Sequence, residues 1–377
     1  MTFENSSYKS LSDLQTVCLK QNIPFASYRL PLQSEIITLV QYQAMPEKLD
    51  SLQNIDQKSG FIMAPFVKTE KQGAFLLKPD NIFYSNKISA EFIENLKQNF
   101  RFLSAEKPSE SEISTTPPAD FISQVNMAVK AMEEGQFHKV VLSKVRLEKL
   151  NEDFEASTFF LRLCEKYPHA FVYLIQLPQV GCWIGATPEP LLVIEDQYVK
   201  TVSLAGTQVA TDADINSYVW SEKEIEEQDI VTNFVEQTLR SLQIEDYSKF
   251  GPTNYKAANL IHLKTSFEFA QADLGNRLSN FINALHPTPS VGGLPKNAAR
   301  DFILKNEKHN RAYYTGYLGP INIKGKSNVF VNLRCLQLFK KQFVLYSGAG
   351  ITSASNAEKE WEETDNKMMT MMNVMKS

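Results

Sequence analysis

The sequence predicts an α+β fold, with helices set around a mainly antiparallel sheet. Three observations predict it. Short segments rich in Val, Ile and Tyr follow one another over residues 139–203, with connections too short for βαβ crossovers. Two more strands fall at 329–336 and 343–347, around a Lys340-Lys341-Gln342 turn. Helical patterns lie apart from these runs, at 221–242 and from 365 onward. With 377 residues, 43% of them hydrophobic, the chain can bury a large core.

The elements follow in order. Ser34 to Gln43 reads as a strand and Ser89 to Phe100 as a short amphipathic helix, and no chemical motif stands out in the first 103 residues. Ser104 to Ala119 is polar and carries Pro108, Pro117 and Pro118, the composition of a surface connection. Phe121, Val125, Val129 and Met132 then recur at helical spacing, with Asp120 as the cap. Strands are expected at 139–147, 171–176, 182–185, 191–194 and 198–203. Ser221-Glu222-Lys223-Glu224 forms a capping box. Behind it, Ile230, Val231, Phe234, Val235, Leu239 and Leu242 make an apolar stripe. No internal repeat is visible.

Composition excludes several classes. A net charge of −4 and a pI near 5.9 give no basic field for nucleic acid or an anionic membrane surface. An anionic substrate must therefore be held by local features. Cys18, Cys164, Cys182 and Cys335 form no Cys-x-x-Cys pair, and with five scattered histidines they offer no zinc spacing. Reduced, buried thiols of a cytoplasmic protein are expected. No apolar stretch reaches the roughly 18–20 residues of a bilayer span, and the N-terminus lacks a secretory pattern, so a soluble protein is expected.

Several residues carry potential chemistry, and each also admits a purely structural role. Glu227 lies one turn before Val231, in line with the buried stripe. A carboxylate there is costly unless a cation meets it; alternatively it is a first-turn glutamate favoured by the helix dipole. Glu360, Glu363 and Lys367 share one edge of the C-terminal helix, beside the apolar face of Trp361, Met368, Met372 and Met375. Two such carboxylates suit a hard divalent cation, or form a solvated edge with a Glu363–Lys367 pair. Gly348 and Gly350, following a strand, allow close backbone approach to an anion or simply make a turn. Arg334 interrupts an apolar strand and suits either a carboxylate ligand or a structural ion pair. Lys139 opens a strand and is either an inward-facing base or an edge charge. Glu189, between Pro188 and Pro190, is a fixed general acid or part of a surface turn. His262 is a core histidine or a substrate contact.

Together and in this order, these segments resemble the chorismate-using enzymes, which include isochorismate, salicylate, anthranilate and aminodeoxychorismate synthases. The matching segments are HKVVLSK (138–144), IGATPEPLL (184–192), SLAGT (203–207), SEKEIEEQDIV (221–231) and IHLKT (261–265). They continue with LHPTPSVGGLP (285–295), YYTGYLGP (313–320), VNLRC (331–335) and SGAGITSASNAEKEWEETDNK (347–367). The resemblance covers roughly residues 120–377. It implies one domain over 1–377, with large antiparallel sheets packed face to face and helices outside. Within it, 1–103 is the less diagnostic portion, 104–119 a connection and 120–377 the catalytic core.

The resemblance also implies site roles. Glu227 and Glu363, with Glu360 close by, match magnesium ligands. Gly206, Thr207, His262, Tyr314, Arg334, Gly348 and Lys367 match substrate-binding positions. Lys139 matches the lysine present where water is the nucleophile, and Ala205 stands where aminodeoxychorismate synthases carry a nucleophilic lysine. The implied reaction is hydration with allylic shift, in which Lys139 activates water and Glu189 protonates the departing hydroxyl, giving isochorismate. The implied product would feed menaquinone or siderophore synthesis. A salicylate synthase and an ammonia-using synthase are the alternatives within the family, and a non-catalytic binder the alternative outside it. No amidotransferase subunit and no oligomer are implied. Gln228, Lys144, Ser347, Ser290 and Val291 depart from the commonest pattern.

Overall fold

The computed structural model describes residues 8–85, 87–100, 113–210, 214–257 and 260–375. Most of the expected connection at 104–119 lies outside them. Its last residues run into a helix, Pro118–Glu133, capped by Pro117 rather than Asp120, which sits in the first turn. Proline at the first helical position gives up only an amide that would have no partner there anyway.

Among the described residues, the strands form two sheets, each nine strands wide, and every assigned pairing is antiparallel. In the first sheet, Lys139–Lys149 pairs with Gln342–Ile351, followed across by Cys335–Leu338, Gly181–Thr187 and Phe171–Leu177. In the second, Ser248–Ala257, Leu260–Ala270, Tyr198–Val209, Pro190–Glu195 and Ser327–Val331 lie side by side. The short Gly293–Leu294 borders Lys139–Lys149 in the first sheet, and Tyr317–Ile321 follows Ser327–Val331 in the second. Strands from the first 103 residues complete both: Phe25–Arg29, Ile36–Val40 and Asn81–Tyr84 in the first, Gly60–Ala64, Ala74–Leu77 and Glu47–Leu49 in the second.

The sheets pack face to face. Their shared core takes Phe171, Tyr173 and Trp183 from one and Phe61, Leu318 and Phe330 from the other. The Phe171 and Phe330 rings stack 4.2 Å apart. Lys9–Gln21, Ala156–Lys166 and the C-terminal helix Ala357–Met375 cover the outer face of the first sheet. Glu222–Ser241 and Leu278–Leu285 cover that of the second. Period-2 alternation buries Thr265, Phe267 and Phe269 along Leu260–Ala270, the strand that carries His262.

Three expectations need correction. Residues 329–336 are not one strand: Ser327–Val331 belongs to the second sheet and Cys335–Leu338 to the first. Asn332–Arg334 crosses between them, with Arg334 left-handed at φ 48°. Asn332 fixes the crossing by accepting from the Tyr173 hydroxyl and donating to the Tyr313 carbonyl at 2.8 Å. Gly348 and Gly350 do not form a turn after a strand; they are strand residues, paired with Ser143 and Val141. The C-terminal helix begins at Ala357, eight residues before Asp365, and so includes Glu360 and Glu363, as the edge they share with Lys367 requires.

A buried network braces the sheet edge beside the site. Glu307 accepts from the Ser143 amide at 2.7 Å and from Arg311 Nη2 at 2.6 Å. Arg311 also donates to the carbonyls of Val141, at 2.6 Å, and Val291, at 3.0 Å. One ion pair thus fixes the Lys139 strand, the 285–295 loop and the approach to Tyr314. Arg311→Met leaves Glu307 buried without its cation and is expected to lower unfolding free energy by about 3–5 kcal/mol. Urea titration measures this, and adding Glu307→Leu is expected to recover part of the loss.

Candidate active site

The site is built around Gly348 and Gly350 of the strand Gln342–Ile351. A Cβ on Gly350 would lie 2.4 Å from Glu227 Oε1 and 3.3 Å from Lys139 Cε. One on Gly348 would lie 3.0 Å from the Tyr314 hydroxyl. Glycine at both positions leaves room for these groups. Lys139 is fully buried, and its Nζ donates to Glu227 Oε1 at 2.8 Å. The cation demanded by Glu227 is thus the lysine that opens the neighbouring strand. Burial alone would raise the Glu227 pKa, but Lys139, Lys367 and Lys223 outweigh it and hold the carboxyl below its ordinary range.

Glu227 owes its position to its helix. Both halves of the capping box form: the Ser221 amide donates to Glu224 Oε2 at 2.8 Å, and the Ser221 hydroxyl accepts from the Glu224 amide at 3.4 Å. Val231, Val235 and Leu239 bury the stripe beyond it. The helix is therefore fixed at its start and along one face.

Glu360 and Glu363 project from the C-terminal helix. Lys223 Nζ donates to Glu360 at 2.5 Å, and Lys367 Nζ donates to Glu363 at 2.6 Å and to the Gly348 carbonyl at 2.9 Å. Burial and the nearby Glu363 charge raise the Glu360 pKa. Burial opposes the Lys223 ammonium, yet Glu360, Glu227 and Glu363 outweigh it and raise its pKa. Sequence reasoning passed over Lys223, although it sits one helical turn before Glu227. Among the described residues no three acidic, His or Cys side chains close into a metal cluster. What the site offers is three hard oxygen donors whose mutual repulsion is relieved by ammonium groups. That donor set fits a divalent cation of the magnesium type, which often takes only one or two protein carboxylates.

The remaining wall is polar and buried. Glu189 joins Gly181–Thr187 to Pro190–Glu195 and is 4% exposed. Its carbonyl accepts from the Val331 amide at 2.9 Å, so tertiary bonding as well as the flanking prolines fixes it. Burial raises its pKa to about 7, against the pull of Lys139, Arg334 and Lys367. His262 Nδ1 lies 2.7 Å from the Gly206 carbonyl and must donate to it. That leaves Nε2 as an acceptor, 3.4 Å from Arg334 Nη2. Burial, and then the Arg334 charge, lower the His262 pKa to about 3, so the ring stays neutral. Thr207 Oγ1 lies 3.4 Å from the same ring.

One cleft is lined by Glu189, Gly206, Thr207, Glu227, His262, Tyr314, Arg334, Gly348 and Lys367. Lys139 lies behind Gly350 on Glu227, while Glu360, on Lys223, and Glu363, on Lys367, are not among the residues that line the cleft. The atypical residues have partners of their own. Gln228 Nε2 donates to Ser203 Oγ at 2.9 Å and Thr265 Oγ1 at 3.0 Å. Lys144 Nζ donates to Asp365 at 2.7 Å and lies 3.1 Å from the centre of a Trp361 ring. Ser290 Oγ donates to the Leu204 carbonyl at 2.8 Å, and Val291 packs in the core of the second sheet. No partner for the buried Ser347 hydroxyl occurs among the described residues.

Fold and site together define a two-sheet α+β protein whose lysine- and carboxylate-lined cleft suits a small anion. Residues 4–376 match the family described as chorismate binding enzyme, and the chain belongs to that family. It is 30% identical over 260 residues to the isochorismate synthase EntC of Escherichia coli K12, an alignment spanning 67% of this chain and 66% of EntC, just under two thirds. The menaquinone-specific isochorismate synthase MenF of Escherichia coli has the same fold, with a TM-score of 0.76 at 20% identity over 96% of this chain and 91% of MenF. So does anthranilate synthase component I of Streptococcus pneumoniae, at 0.63 and 17% identity over 92% and 89% of the two chains.

Glu189 makes stability depend on pH. Its folded pKa is raised, so its neutral form contributes fully below the unfolded value near 4.5, and the contribution is lost as pH rises through about 7. Glu189→Gln stays neutral throughout. Between pH 4.5 and 8 its stability is expected to gain about 3 kcal/mol on the parent. Denaturant titrations at the two pH values measure the difference.

Proposed function

We propose that the chain is an isochorismate synthase, a magnesium-dependent isomerase that converts chorismate to isochorismate. The observation that carries this reading is the conjunction of Lys139 and Glu189 in one family site. Lys139 is buried behind the glycine strand, and Glu189 is a carboxyl that keeps its proton to about pH 7. Membership of the chorismate-binding family and the alignment with EntC support the substrate. Ala205, small and cleft-lining, leaves no lysine there for an amine-transfer route.

The chemistry then follows from the residues. Acting as the neutral amine, with Lys367 and Lys223 left to offset the Glu227 charge, Lys139 accepts a proton from water as its oxygen bonds to ring C2. The ring double bonds shift, the C4–oxygen bond breaks, and Glu189 protonates the departing hydroxyl so that it leaves as water. Two groups in opposite protonation states at one pH are the requirement for this step. Arg334 and Lys367 bind carboxylate, with Tyr314, Gly348, Gly206 and Thr207 shaping the cleft. His262, held neutral, accepts from Arg334 and orients it. Glu227 and Glu363, with Glu360 beside them, would hold magnesium. When bound, the ion supplies positive charge for the substrate's ring carboxylate. Water as nucleophile requires no amidotransferase subunit, and we assign the enzyme as a cytoplasmic monomer.

The test is proton NMR of chorismate incubated with protein and magnesium. Isochorismate with its enolpyruvyl signal retained is expected. Salicylate with free pyruvate would make the chain a salicylate synthase, and an aminated product with ammonium would overturn the choice of water. Lys139→Ala is expected to reduce turnover about 10²–10⁴-fold, the range of a lost general base; full retention would sink the mechanism. The alkaline limb of the pH profile should be visible as well. Since Glu189 must be protonated, kcat/KM is expected to fall as pH rises above about 7, and measurement from pH 5 to 9 checks it.

A further inference from the structure

Arg334 lines a second cavity besides the cleft. Its walls include Tyr167, Lys166 and Lys256, and it shares Pro188 and Arg334 with the first. No acidic side chain among the described residues lines it. Among the described residues, none of Lys166, Lys256 and Arg334 forms an ion pair. Lys166 Nζ donates to the Asn373 carbonyl at 3.1 Å, and the buried Nη1 of Arg334 has no partner among the described residues. A buried guanidinium donor without an acceptor is costly. Three cations meeting in one concavity without a carboxylate form a positive field that structure alone does not require.

The wall is also held rigid. Arg29, 2% exposed, donates to the carbonyls of Tyr167 at 2.6 Å, Pro168 at 2.9 Å and Ala170 at 3.1 Å. The Tyr167 hydroxyl donates to the Thr370 carbonyl at 2.7 Å. One buried arginine thus spends donors on three carbonyls of a single turn. A fixed wall preorganises the lysine at its start and lowers the entropy lost on capturing a ligand.

We propose that this cavity is a carboxylate-binding antechamber, through which a dianionic substrate passes from Lys256 and Lys166 to Arg334. The choice of chorismate as that dianion rests on the functional reading above; the antechamber itself rests on the cavity and its charges. The two chambers adjoin at Pro188 and Arg334, and on the proposed route a carboxylate leaving the lysines is handed to a cation already in the active site.

Two measurements test it, on the parent and on the double variant Lys166→Met/Lys256→Met, with thermal unfolding to confirm that the variant is folded. Crystals soaked in 4-bromobenzoate should show bromine beside Lys166 and Lys256 in the parent and none there in the variant. Stopped-flow protein fluorescence should show chorismate association slowed about tenfold in the variant, with a flatter dependence on ionic strength. Lys166→Arg/Lys256→Arg should restore both. Bromine confined to the Glu189 cleft, or association as fast and as salt-dependent in the variant as in the parent, would overturn the antechamber. A parent that neither binds nor converts chorismate would overturn the functional reading instead, and the bromobenzoate soak would still decide the cavity.

Discussion

The ion pair between Lys139 and Glu227 is the constraint on which the site depends. Lys139 belongs to the first sheet, and Glu227 to a helix packed on the second. Burying either charge alone would cost several kcal/mol, so each requires the other at hydrogen-bonding distance. That requirement reaches outward. The strand between them must carry no side chain at Gly350. The helix must start at a defined point, which the Ser221–Glu224 box provides. The Lys139 strand must not slip, and the Glu307–Arg311 pair holds it.

Much of this was legible in the sequence wherever the signal was local. The capping box, the stripe behind it and the need of Glu227 for a cation all follow from residues a few positions apart. The identity of that cation did not, because Lys139 lies 88 residues away. Nor did the place of Arg334. An apolar run on both sides reads as one strand, and only the separation of Val331 and Cys335 into different sheets reveals the crossing. The Gly348–Gly350 segment was misread for a related reason. Glycines usually punctuate strands, but here a neighbouring helix and lysine fill the space that side chains would take. Lys223 was overlooked because surface helices are full of lysines, and only the approach of Glu360 from the C-terminal helix distinguishes this one.

The first 103 residues show no chemistry in sequence, yet they shape the site indirectly. Their strands complete both sheets, and Arg29 reaches from one of them to hold the turn after Ala156–Lys166. A buried arginine at the end of the strand Phe25-Ala-Ser-Tyr-Arg29 looks like an error of patterning until its carbonyl acceptors are known. Its task is architectural, and it is set by residues some 140 positions downstream.

The bare backbone at residue 350 also limits how this chain could recombine with a relative. Positions 139, 227 and 350 behave as a single heritable unit, because the space left by the third is filled by the first two. They lie on three separate stretches of sequence, so a crossover placed between Glu227 and Gly350 would part a side chain from the gap that accommodates it. Chimeras joined there would need donors that agree at all three positions. Breakpoints in the first 103 residues face no such condition from this triad.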